Sequence, residues 1–343
     1  MSQVSIIVPI YNSEKILSRC LNSIREQTFD DFEVIMINDG STDNSGGVCE
    51  EYCKSDARFK LINQKNAGPS AARNRGIDEA DSKYLSFIDA DDWVEPDFIE
   101  QLYNAAEQTD ADITVCSYIV DYPDKSIKRA ATHLKPGLYV GQDCREIAAN
   151  SMVSFVTGVV GYSVLRLVRR EFLQNSGYRF NTSINRSEDS LLWTQLSFKA
   201  NRLCLITDKH PYHYVMNENS ITHKYMEDYW SMVKTIHNEL RKTLPDEEMV
   251  IKKINHAFLL RTFTAMQVSS LADNKKVFLR DFKKIVKDEL LDSIIRSLNM
   301  SDVPKHIRMH LGLFKLRLHF ILRLIYLRKF YSSKKTDVLQ KEN

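Results

Sequence analysis

Tyr84-Leu-Ser-Phe-Ile-Asp89-Ala-Asp91-Asp92 runs a short apolar stretch into three carboxylates with only Ala90 between them. Residues 84–88 are mostly aromatic and branched, as in a strand buried on both faces of a parallel sheet. In open parallel sheets, ligands sit beyond the carboxyl ends of the strands. Asp89 and Asp91, two residues apart on extended backbone, point to the same side. Hard oxygen ligands in that arrangement suit Mg²⁺ or Mn²⁺ already carried by a diphosphate. The same residues also read as a plain strand end leading into a helix, with Asp92 or Glu95 near the cap and Pro96 in the first turn.

Upstream, the spacing predicts strands over 4–9, 32–38 and 59–63, with helices over 15–27 and 48–54 and from Asn66 to Glu79. Strand and helix alternate four times within a hundred residues, which is the pattern of βαβ units and a parallel sheet. The expected fold class is therefore α/β, with nucleotide binding in residues 1–100.

The remaining composition is that of an ordinary globular chain of about two domains: 343 residues, 43% hydrophobic and 27% charged. The net charge of +2 hides a split. Residues 301–343 carry ten Lys or Arg against three Asp or Glu, leaving 37 against 42 in the first 300. Met1-Ser-Gln-Val-Ser leads directly into a strand without a basic leader, so the expectation is a cytoplasmic protein. Cys20, Cys49, Cys53, Cys116, Cys144 and Cys204 show neither disulfide-like nor zinc-like spacing and read as free thiols.

Asp39-Gly40-Ser41-Thr42-Asp43 also follows a strand. It reads either as a loop with a capping Asp or as a site where Asp39 accepts from an N–H donor such as the imide of uracil. Gly68 lets backbone approach a ligand closely. Arg73 and Arg75 follow on the next helix, where one could face phosphate or both could lie on a solvated surface.

Val4-Ser-Ile-Ile-Val-Pro-Ile-Tyr-Asn12, Asn38-Asp-Gly-Ser-Thr-Asp43, Asn66-Ala-Gly-Pro-Ser-Ala-Ala-Arg-Asn74 and Asp89-Ala-Asp-Asp92, in that order and spacing, resemble the family 2 glycosyltransferases of the GT-A fold. The resemblance is strong over the first hundred residues and looser to about residue 225. It implies that Pro9, Tyr11 and Asp39 line the uracil of a UDP-sugar and that Asp89 lies near the ribose or phosphate. It further implies that Asp91 binds a divalent metal bridging the diphosphate, and that Arg73 fills a basic position near Asp89. Arg75 has no counterpart.

Residues 101–225 are less regular, as expected of an acceptor-binding half. A strand is expected over 112–122, extended pieces over 127–134 and 137–140 and a further apolar segment over 158–168, and Glu188-Asp189 opens a helix running to Lys199. Carboxylates at a helix start are favoured by the dipole alone. In the glycosyltransferase setting the pair resembles the acceptor-site Glu-Asp motif, which makes Asp189 the catalytic base of an inverting transfer and Glu188 an orienting group. Pro211-Tyr-His213-Tyr-Val215 and Asn219-Ser-Ile-Thr222 match the family's late loop over the diphosphate. The chain departs where many relatives have Arg and it has Val215. His213 or His223 could approach the metal instead, or simply pack.

From Tyr225 the chain reads as helical, with Tyr229, Val233, Ile236 and Leu240 on one stripe and helices over 248–272 and 276–298. Between Asp302 and Asp337 there is no acid. Leu311, Phe314, Leu318, Ile321, Leu322 and Ile325 make an apolar face, and Lys315, His319 and Arg323 follow another at four-residue steps. The segment 305–335 is too interrupted by charge to span a bilayer but suits an anionic lipid surface. Packing on its own region 226–343 or on a second copy is the other reading, and no base-reading motif points to nucleic acid.

The expectation is an inverting, Mn²⁺- or Mg²⁺-dependent glycosyltransferase that extends a cell-surface glycan from a UDP-sugar. Its acceptor would be lipid-linked, at the inner face of the membrane. A sugar-nucleotide nucleotidyltransferase is the alternative enzyme, although Pro9-Ile-Tyr-Asn-Ser13 lacks the glycines of its phosphate loop. A non-catalytic carbohydrate- or nucleotide-binding module is the other class.

Overall fold

Residues 4–87 form three strand–helix repeats and a fourth strand: β1 (Val4–Ile10), α1 (Leu17–Arg25), β2 (Phe32–Asp39), α2 (Ser45–Ser55), β3 (Phe59–Gln64), α3 (Pro69–Glu79) and β4 (Tyr84–Phe87). The computed structural model describes residues 2–154, 156–216, 224–298 and 305–341, the side chains of 305–307 and 332–341 excepted. Leu17, Cys20, Leu21 and Ile24 give α1 the i, i+3, i+4, i+7 spacing of a helix with one buried face. Gly76 on α3 lies against β1. A Cβ there would sit 2.3 Å from Ile7 Cγ2, so glycine permits the close approach.

The next elements are β5 (Trp93–Val94), α4 (Phe98–Thr109), β6 (Ile113–Cys116), β7 (Tyr118–Asp121), β8 (Ser126–Arg129), β9 (Gly137–Val140), α5 (Gln142–Ser151), β10 (Arg166–Arg169), α6 (Arg170–Ser176), α7 (Glu188–Lys199), β11 (Arg202–Ile206) and β12 (Tyr212–Val215). Eight strands form one sheet in the order β3-β2-β1-β4-β10-β6-β11-β9, the first four mutually parallel and β10 antiparallel to both neighbours. A smaller sheet runs β5-β12-β7-β8. From β1 the chain winds outward to β2 and β3, then returns to β4 on the other side of β1. Such a reversal opens a crevice at the carboxyl ends of the two central strands. Ile88 N–H donates to the Ile7 carbonyl at 3.1 Å, and the acids begin at the next residue.

Two local expectations, over 112–122 and at Asp92, differ from the structure. The single strand over 112–122 is two strands in different sheets, parted by buried Ser117, whose hydroxyl donates to the Thr207 carbonyl and accepts from Ala131 N–H. The stretch 158–168 is a 3₁₀ turn (Ser163–Leu165) followed by β10. No helix starts at Asp92: residues 93 and 94 pair with β12, and α4 begins only at Phe98.

Contacts divide the chain at Glu218/Asn219. The second unit contains α8 (Tyr229–Thr243), α9 (Glu248–Ser269), α10 (Lys275–Val286), α11 (Glu289–Ser297), α12 (Lys305–Lys315) and α13 (His319–Lys341). Tyr229, Val233, Ile236 and Leu240 are buried, and Trp230 packs on Phe258 at 5.3 Å. The helix expected over 276–298 is interrupted because Asp288 accepts from Leu291 N–H and caps a new helix. The basic segment 305–335 is likewise two helices, with Arg317 at φ 57 in the break. Leu311, Phe314 and Leu322 of its expected apolar face are buried within this unit. Among the described residues no helix is long and apolar enough to cross a membrane.

Candidate functional site

The three acids after β4 have different surroundings. Asp89 accepts from Arg73 at 2.8 Å and remains partly exposed. Asp91 has no ion pair among the described residues, and burial, then the charge of Asp89, push its carboxyl above the ordinary value. Asp92 is buried. It accepts from the Tyr212 hydroxyl at 2.6 Å and from Val215 N–H at 2.8 Å, so it ties the acidic turn to β12. Burial, then Asp91, raises the Asp92 carboxyl well above its usual range. Asp92, which from sequence alone also reads as a helix cap, is the acid that anchors this turn to β12.

Arg73 joins this turn to the start of α7. Its guanidinium lies 2.8 Å from Asp89, 3.2 Å from Glu188 and 3.5 Å from Asp189. Burial works against its charge, but the three carboxylates outweigh burial and hold it above the ordinary arginine value. Glu188 shifts upward through burial and then Asp189, against the pull of Arg73. Trp193 on α7 sets this helix by packing edge-on to Phe87 of β4 at 6.4 Å. Its indole N–H donates to Ser163 Oγ, and Ser163 N–H donates to Asp189 Oδ2 at 3.1 Å. The other Asp189 oxygen is buried and accepts no hydrogen bond among the described residues. Arg166, buried, donates to the Tyr162 and Val160 carbonyls and stacks over the Trp193 ring, fixing the turn that holds Asp189. Arg75 is elsewhere, in a surface pair with Glu79.

The other expected donor residues also lie at carboxyl ends of the parallel strands. Asp39 ends β2 and accepts from Gln64 Nε2 (2.7 Å), Ala67 N–H (2.9 Å) and Gly68 N–H (2.8 Å), which folds the third loop over it. Gly68 has φ +87, a left-handed conformation that favours glycine just before Pro69 starts α3. Pro9 is on β1, and Tyr11, half exposed, follows it. Asn12 and Ser13 hydrogen bond to Ser41, Thr42 and Ser45, locking the first loop onto the second.

His213 occupies β12 and stacks on Trp93 at 3.5 Å. Its two ring nitrogens lie 2.9 Å from Asp121 and 2.9 Å from Glu95. Both are thus engaged, and the ring packs in the smaller sheet. Val215 contributes its backbone N–H to Asp92. Residues 219–222 and His223 lie outside the described residues.

Among the described residues no group of three His, Cys, Asp or Glu is arranged to enclose a metal. The donor set fits a different kind of site. Asp91, unpaired and beside Asp89, offers the one or two carboxylates that Mg²⁺ or Mn²⁺ uses when phosphate oxygens supply the remaining ligands. All six cysteines are free thiols.

Residues 5–175, about half of the chain, match the sequence model of Glycosyl transferase family 2. Two Bacillus subtilis proteins, EpsH and EpsJ, both carrying the name glycosyltransferase, are 33% identical over 229 residues and 36% identical over 221. Those alignments take in 65% and 64% of this chain, and 64% and 62% of the relatives, so the chain spans less than two thirds of either. The solved structure of S. aureus TarS 1-349 in complex with UDP-GlcNAc superposes with a TM-score of 0.69 at 20% identity, over 98% of this chain and 92% of that one. The strand-end acids therefore sit in a sheet of GT-A architecture, and the chain belongs to glycosyl transferase family 2.

Proposed function

We propose that the chain transfers a sugar from a UDP-sugar to a glycan hydroxyl, with inversion, during assembly of a bacterial cell-surface polysaccharide. The carrying observation is the Arg73 bridge, which sets Asp189 against the acids at the strand-end crevice. On this reading Pro9, Tyr11, Asp39 and Gly68 hold the uridine end, and residues 1–100 form the donor half. Asp91, with Asp89, holds the divalent cation, which when bound neutralises charge on the departing diphosphate. Asp189 takes the proton of the attacking hydroxyl. Glu188 and Arg73 orient it, within an acceptor half spanning 101–225. Support for a UDP-linked donor comes from the UDP-GlcNAc complex of TarS, and support for glycosyl transfer from the names of the relatives.

The test is UDP release from a panel of UDP-sugars with Mn²⁺, Mg²⁺ or chelator, comparing wild type and Asp91→Asn. Slow metal-dependent hydrolysis of one donor, lost in the variant, is expected. Failure to bind UDP with either metal sinks the donor assignment, and pyrophosphate release from UTP and a sugar phosphate would indicate the nucleotidyltransferase.

The same proposal places the enzyme at the membrane through α13. Phe320, Leu324 and Tyr331, 57%, 57% and 50% exposed, lie on the helix face opposite buried Leu322, Tyr326 and Phe330, with exposed Arg323 and Arg328 to either side. An apolar stripe edged with arginine suits an anionic bilayer surface. Co-sedimentation with phosphatidylglycerol vesicles is expected, weakened by salt and lost in Phe320→Glu/Leu324→Glu. Equal sedimentation of that double variant would count against it.

A further inference from the structure

We propose that Tyr162, with Tyr118 and Tyr214, forms a platform on which a pyranose ring of the acceptor lies. This rests on the glycosyltransferase reading and deepens its acceptor side.

Tyr162 is 44% exposed and is the residue immediately before Ser163, whose N–H holds Asp189. Its ring meets Tyr118 edge-on at 5.8 Å and lies nearly parallel to Tyr214 at 6.4 Å and 11°. Tyr118 and Tyr214 come from β7 and β12, neighbouring strands of the smaller sheet. Tyr214 stands beside the acidic turn: Val215, the next residue, donates to Asp92. Burial, followed by the charges of Asp92 and Asp91, raises the Tyr214 hydroxyl to about 12. Tyr162 therefore lies one peptide link from the Asp189 mount and Tyr214 one from the Asp92 mount.

Tyr162 is a half-exposed aromatic between two carboxylate mounts. Its ring offers an apolar face, and the three phenols offer donors and acceptors around it. A pyranose has the complementary chemistry, with C–H groups on one face and hydroxyls at the edge. The position beside Asp189 selects the acceptor over the nucleotide, because the sugar whose hydroxyl loses a proton must lie against the base.

The experiment is saturation-transfer NMR on the full chain with UDP present. Methyl β-D-glucoside, methyl β-D-galactoside and methyl N-acetyl-β-D-glucosaminide are the probes. At least one is expected to receive saturation from the protein. Tyr162→Ala should weaken that probe about tenfold, the size of one lost stacking contact, whereas Tyr162→Phe should retain it. Binding of none of the three, or equal binding by Tyr162→Ala, overturns the proposal. Displacement of the probe by UDP-glucose or UDP-GlcNAc but not by UDP assigns the rings to the donor's own hexose and also overturns it. A glycoside held through Tyr162 by a protein that binds no UDP with either metal would keep the platform while removing the donor reading.

Discussion

Asp189→Asn is expected to lower sugar transfer by about 10²–10⁴-fold, the range for loss of a positioned base, while leaving UDP affinity within a factor of about two. The amide can still accept from Ser163 N–H, as Oδ2 does at 3.1 Å, so the side chain keeps its place and loses only its basicity. Stability separates this outcome from misfolding. The charge of Asp189 is among the causes that push Glu188 upward, so removing it relieves repulsion in a buried acid pair. Arg73 keeps Asp89 and Glu188 as partners. The variant should therefore melt within a few degrees of the wild type, as ordinary conservative changes do. Transfer rate, UDP titration and melting temperature on one preparation check all three. Transfer retained within about tenfold would move the base elsewhere, with Glu188→Gln the next variant to compare.

Where chemistry is local, the sequence was readable. The apolar runs closed by Pro9, Asp39 and Asp89 do form the parallel strands β1, β2 and β4. Asp89 and Asp91 could be singled out because two acids at an interval of two cannot be buried cheaply beside an apolar strand. What could not be read is pairing at long range. Arg73 reads equally as a phosphate ligand or a surface residue, and its partners are 16 and 115 positions away. Asp92 resembles a helix cap until β12, more than a hundred residues later, supplies Tyr212 and Val215 N–H. The split of 112–122 depends on Ser117 meeting Thr207 and Ala131, a tertiary event that strand propensity does not encode. By contrast, the break before α11 had a local signal in the Asp288 cap.

Replacing the cation that holds the site together should have the largest effect on stability. Arg73→Met keeps a long apolar stem but leaves Asp89, Glu188 and Asp189 without the guanidinium that lies 2.8–3.5 Å from them. Breaking a buried pair by removing one partner costs about 3–5 kcal/mol, since the remaining charges stay desolvated. The pH dependence gives the sign. Glu188 already lies above its ordinary value with Arg73 present, and loss of Arg73 moves it further up. A carboxyl whose folded value is raised stabilises the fold below its unfolded value, and that contribution is lost as pH rises through the folded one. The deficit of Arg73→Met should thus be largest near neutral pH and shrink as pH falls toward the ordinary carboxyl range and Glu188 takes up its proton. Urea midpoints of both proteins at several pH values read this directly. A deficit that does not change with pH would mean that Arg73 acts by packing on Phe180, 5.5 Å from its guanidinium, instead of by charge. A pH-dependent deficit together with lost UDP release would show that the same cation holds the fold and aligns the acids for transfer.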